Sequence, residues 1–173
     1  MGLKDIFKFI KKDISDLKEK GKTDIWSMED KSDFVYLLND KLIDHSSEIE
    51  TFTEIEKVFY LCNNFDNEVQ SCGGFYSVYT SDLGEYAYEL PESFEKIGAL
   101  EIAQVLKKLN ELFSEKLPKD QGEREEYIDS VMEEIEEKMD EYFDEYSEYS
   151  NDLYLLLYDY AIKNKAEFKI IDN

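Results

Sequence analysis

From Glu123 to Asp152 the chain runs without a glycine or proline, and Ile128, Val131, Ile135, Met139, Tyr142, Tyr146 and Tyr149 recur there at unbroken steps of three and four. Only an α-helix gathers that spacing onto one face. The segment is therefore predicted to be a helix over residues 122–149, about 40 Å long at roughly 1.5 Å per residue, with one side committed to a core. Pro118 separates it from what precedes.

The same period runs through most of the chain. Seven Gly and two Pro leave few breaks and strand-like alternation is scarce, so the expected fold class is all-α. The architecture expected is a compact helical bundle of about six to eight helices, with one long aromatic-rich loop and a strongly acidic late helix. Helices are predicted at 3–20, 31–44, 52–71, 92–116, 122–149 and 151–165. Gly21 stops the first, Ser32 is placed to cap the second, and Pro91-Glu92 opens the fourth, in which Ile97-Gly98-Ala99 marks a kink or a close helix crossing. Residues 72–90 hold Gly73, Gly74 and Gly84 among the aromatics Phe75, Tyr76, Tyr79, Tyr86 and Tyr88, and are expected to form the long loop, packed by its own side chains. A short extended segment is expected at 168–171. With 173 residues, 11 Phe and 13 Tyr, the chain suits a single domain over 1–173, residues 1–22 forming a Lys-rich N-terminal helical arm.

The late helix is set apart by its other side. Between Glu123 and Asp152 fourteen carboxylates face two bases, Arg124 and Lys138. Counting about 100° per residue from Ile135, the positions Glu126, Glu133, Glu137 and Asp144 fall within about 20° of the opposite side, flanked by Asp140, Glu141 and Glu148. Such a row works against the helix. Eight like-charged pairs stand four residues apart, from Glu125/Asp129 to Asp144/Glu148, each repelling by about 0.2–0.5 kcal/mol, and only Glu134 with Lys138 clearly relieves them. The acids at 140–148 also crowd the negative end of the helix dipole. Helix stability does not account for them. Solubility is one role that does. Spacing offers another, because the carboxylates average about one per 3.2 Å of axis while one strand of duplex DNA carries a phosphate about every 3.4 Å.

A net charge of −22 argues against direct binding to nucleic acid, which needs Lys and Arg to neutralise phosphates, and favours a basic partner. His45 is the sole histidine, so neither a catalytic triad nor a two-histidine metal site can be assembled. Cys62 and Cys72 form no CxxC pair, and Cys62 sits on an apolar helix face as an inert core thiol. No Gly-rich phosphate loop or EF-hand order is present. The chain is thus expected to be no enzyme, with no catalytic residue, metal or cofactor. No apolar run approaches the roughly eighteen residues that span a bilayer, so no membrane partner is expected, and a cytoplasmic location follows.

One further stretch, Phe59-Tyr60-Leu61-Cys62-Asn63-Asn64-Phe65-Asp66-Asn67-Glu68-Val69-Gln70-Ser71-Cys72-Gly73-Gly74-Phe75-Tyr76, is followed by Leu83-Gly84 and Ile97-Gly98-Ala99. Physically, Glu68 and Val69 close a helix, Gly73 and Gly74 supply the positive-φ turn that stops it, and Phe75 folds back on the core. The pattern resembles that of the bacterial DNA-mimic protein family, over roughly residues 55–115, with Arg124, Tyr160-Ala161-Ile162 and Phe168 resembling its weaker C-terminal pattern. Cys72 stands where the family usually has Asn, and Ser77 where Gln is common. The resemblance implies an all-helical acidic domain that imitates duplex DNA and occupies a DNA-binding protein such as a helix-turn-helix transcription factor.

The residues expected to carry that role are Glu126, Glu133, Glu137, Asp140, Glu141, Asp144 and Glu148, standing in for phosphates before a transcription factor or nucleoid protein. A second reading is an immunity protein that neutralises a cognate basic toxin such as a nuclease, with Tyr142 or Tyr149 as aromatic anchors.

Overall fold

The computed structural model describes residues 24–72 and 74–169. Its helices are α1 Lys31–Ile43, α2 Glu54–Cys72, α3 Phe75–Thr80, α4 Leu90–Ile97, α5 Leu100–Asn110, α6 Gln121–Ser150 and α7 Leu153–Lys163. Short 3-10 turns lie at Ile25–Ser27, Ser46–Thr51, Asp82–Tyr86 and Lys165–Glu167, and no strand occurs among the described residues. The predicted first helix and arm, Gly21, Gly73 and positions 170–171 of the expected tail lie outside the described residues.

The central helix is α2, which packs against α1, α3, α4 and α7. Its sequence suits that place, because Val58, Phe59, Leu61, Cys62, Phe65 and Val69 are all buried, a wider apolar arc than one stripe. Thr53 and Glu56 open it reciprocally: the Glu56 N–H donates to Thr53 Oγ1 at 3.2 Å and the Thr53 N–H to the Glu56 carboxylate at 2.8 Å. Glycine closes it. Gly74 has φ 124° and its N–H donates to the Val69 carbonyl at 3.0 Å, the wrap-back bond that ends a helix on a left-handed turn. Phe75 then returns to the core against Phe65, Phe143 and Tyr146, and the Glu68 carboxylate accepts the Ser81 hydroxyl at 3.2 Å.

Several expectations are corrected here. The single helix predicted over 92–116 is two, α4 and α5, because Gly98 adopts φ 91° and the Ala99 N–H bonds back to the Phe94 carbonyl at 2.9 Å. Phe113 and Leu117 turn inward after Asn110, so α5 stops well before residue 116. The loop expected at 72–90 instead contains α3 and the 82–86 turn, elements too short to show a period in the sequence. Asp30, not Ser32, caps α1, its carboxylate accepting the Asp33 N–H at 3.0 Å. Phe168, where the expected extended segment begins, is buried against Trp26 and Phe59.

Gly98 supplies the first test. Any Cβ there must adopt the left-handed region, so Gly98→Ala is expected to lower stability by about 1–2 kcal/mol, read as a reduced urea midpoint. An unchanged midpoint would mean the α4–α5 break tolerates a right-handed turn.

Candidate functional site

The acidic segment folds into α6, thirty residues and so roughly 45 Å long. The Asp120 carboxylate caps it by accepting the Glu123 N–H at 3.0 Å. It packs mainly on α3, α5 and the 82–86 turn and meets α2 only toward its far end, which places it at the margin of the bundle. Polar contacts hold it at several points along its length. At the start, buried Arg124 donates to four backbone carbonyls, Tyr79 at 2.7 Å, Ser81 at 2.6 Å, Pro118 at 3.0 Å and Lys119 at 2.7 Å. Further on, the Tyr146 hydroxyl donates to Asp66 at 2.7 Å, and Gln70 reaches Ser150 at 3.0 Å.

The buried residues of α6 are Arg124, Ile128, Ile135, Met139, Tyr146 and Ser150, with Val131 and Tyr142 half-buried. Tyr149, expected on the core stripe, is instead 44% exposed. The reason is angular. The buried set centres about 20° from Ile135 toward Met139, which leaves Tyr149 about 60° off the core line. The opposite side then falls on the expected acids. Glu126, Glu133, Glu137, Asp140, Glu141, Asp144 and Glu148 are all exposed, as are six others of the fourteen carboxylates; Glu145 is half-buried.

Cations do little to cancel the row. Lys138 pairs with Glu141 rather than with the expected Glu134, and Lys108 reaches Glu145 at 2.8 Å. Both lysines have their pKa raised by these carboxylates. Other lysines are engaged elsewhere: Lys57 with Glu89, Lys96 with Glu54 and Glu92, Lys107 with Glu95, Lys119 with Glu85 and Lys31 with Asp159. Arg124 is turned inward onto carbonyls. Six of the seven expected site residues therefore have no ion pair among the described residues.

The arrangement is a long, solvent-facing line of negative charge, suited to attracting and orienting a cationic surface. Sequence reasoning missed the anchoring role of Arg124, for which a lone Arg in an acidic run was the available sign. It also missed the aromatic edge beside the row, where exposed Tyr76 donates to Asp129 at 2.8 Å. Elsewhere His45 is exposed past the end of α1, and burial pushes the Cys62 thiol well above its ordinary pKa, as suits an inert core residue. No described helix is long and apolar enough to cross a membrane.

A family model described as DMP19-like protein matches residues 50–164, well over half of the chain and including all of α6. Neither the curated proteins nor the solved structures give a match.

Proposed function

This chain belongs to the DMP19-like protein family, and from that premise we propose that it is a DNA mimic whose α6 face occupies the DNA-binding surface of a basic protein such as a transcription factor or nucleoid protein. The observation that carries this reading is the exposed and largely unpaired row from Glu126 to Glu148. Within it, Glu126, Glu133, Glu137, Asp140, Glu141, Asp144 and Glu148 take the place of phosphates. Because α6 is held by buried contacts at its start and toward its end, the charges are preorganised, which lowers the ordering cost of binding.

Competition tests the proposal. The immobilised protein is expected to retain a basic DNA-binding protein from native cytosol at low salt, to release it as salt rises, and to lose it to added duplex DNA. A partner indifferent to salt, or one that binds DNA and this protein together, would end the mimicry reading.

One observation favours the immunity reading: exposed Tyr149 and half-buried Tyr142 flank the acids and are suited to anchor a cognate toxin. In that case Tyr149→Ala weakens capture strongly while high salt weakens it little, the reverse of the pattern expected for a mimic.

A further inference from the structure

A cavity of about 340 Å³ opens between α1, α2 and α7, none of which belongs to the acidic row. Tyr36, Ile43 and Tyr154 stand at its mouth, and each remains between 38% and 47% exposed. Together with the polar groups inside, they give the cavity the mix of apolar wall and few convergent polar groups that small-molecule sites use.

The polar part comes from two facing helix turns. Asn39 and Asp40 lie on α1, and Asn63, Asp66 and Asn67 follow one another at helical spacing on α2. Asn39 is already paired, its amide exchanging hydrogen bonds with Asn64 at 3.1 and 2.8 Å. Asn63 is not. It is only 8% exposed, lines the cavity, and its side-chain amide has no hydrogen-bond partner among the described residues. Beside it, half-buried Asp66 accepts the Tyr146 hydroxyl at 2.7 Å and is also engaged by the Gln70 side chain, but has no basic partner among the described residues. Burial raises its pKa, the mark of a carboxylate short of compensating charge. No fully buried side-chain oxygen or nitrogen among the described residues lacks a partner, so the Asn63 amide opens onto the cavity, where it and Asp66 present oxygens to an entering cation.

We propose that this cavity binds a primary alkylammonium ion, with its –NH₃⁺ group between Asp66 and the Asn63 amide oxygen and its alkyl chain along Tyr36 and Tyr154. The chemistry selects ammonium over the alternatives. A neutral ligand leaves Asp66 without a counter-charge. A guanidinium achieves its advantage through a two-pronged contact with a carboxylate, and one Asp66 oxygen is already committed to Tyr146. An ammonium is a point charge with three donors and needs only one free oxygen from each neighbour. The inference does not depend on the α6 reading.

The test is a titration of the full chain with 1,4-diaminobutane at about 0.15 M salt, where diffuse attraction to exposed acids is screened, followed residue by residue by NMR. Expected are saturable one-site shifts centred on the side-chain amides of Asn63 and Asn67, and none with 1,4-butanediol. Asp66→Asn keeps an acceptor for Tyr146 yet removes the charge, and is expected to weaken binding by about tenfold or more. Tyr154→Ala, at the mouth, is expected to weaken it less, and Glu133→Gln with Glu137→Gln to leave it unchanged. Shifts confined to α6, equal binding of the diol or of butylguanidinium, or an Asp66→Asn variant that binds as well as the parent would each overturn the assignment.

Discussion

Replacing Glu133 and Glu137 with Gln and Asp140 and Asp144 with Asn is expected to weaken partner capture by about five- to a thousandfold while making the protein more stable. Each exposed ion pair with a partner contributes about 0.2–1 kcal/mol, so losing four costs about 1–4 kcal/mol of binding. The fold responds in the opposite direction. These four residues take part in six like-charged pairs at four-residue spacing, and removing them relieves about 1–3 kcal/mol of repulsion at low salt. A competition titration beside a thermal melt reads both effects. Capture that survives the change would remove α6 from the interface, and a fall in melting temperature would show that the row has a structural role after all. The opposed signs matter because loss of capture then cannot be attributed to unfolding.

Arg124→Met is expected to destabilise the protein by about 3–5 kcal/mol, a large part of the roughly 5–15 typical of a domain. The guanidinium ties together the carbonyls of Tyr79 and Ser81, at the end of α3 and beyond it, and of Pro118 and Lys119, just before α6. Methionine fills the space but leaves those acceptors without their donor, and a buried unsatisfied polar group is penalised more than a hydrogen bond is worth. Arg124→Lys retains the charge on a single atom that cannot span carbonyls reached by three separate nitrogens, so it is expected to recover less than half of the loss. Gly84 reports on the same junction. A Cβ there would lie 2.6 Å from Arg124 Nε and closer still to the Tyr79 carbonyl, so Gly84→Ala is expected to disturb the same hydrogen bonds. Urea unfolding measures each variant, and an Arg124→Met protein within about 1 kcal/mol of the parent would show that the junction is held by packing alone.

These two predictions draw on residues of very different legibility. The acids of α6 could be assigned a face directly from the apolar stripe, since Ile128, Ile135, Met139 and Tyr146 fix the helix rotation to within about one residue. Tyr149 shows the limit of that reasoning: a residue continuing the same steps drifts off the core line once the buried arc is centred by its neighbours. Arg124 was visible only as a charge among opposite charges. Its partners are backbone carbonyls separated from it in sequence by up to 45 residues, and carbonyls leave no trace in residue identity. Lys138 was legible as a cation, but its choice of Glu141 over Glu134 depends on rotamers that spacing does not specify.

The division has one physical origin. Whatever depends on repeated local geometry was determined by the order of residues: the helical class, the long late helix, the stop at Gly74 and the side of α6 that carries its charge. Whatever depends on where separate segments meet was decided by tertiary packing: the split at Gly98, the marginal position of α6 that leaves its anions uncovered, the inward turn of Arg124, and the pocket in which Asn63 and Asp66 face Tyr36 and Tyr154. Periodicity acts over a few residues along one chain segment, whereas burial and pairing are set by neighbours that only the folded arrangement brings together.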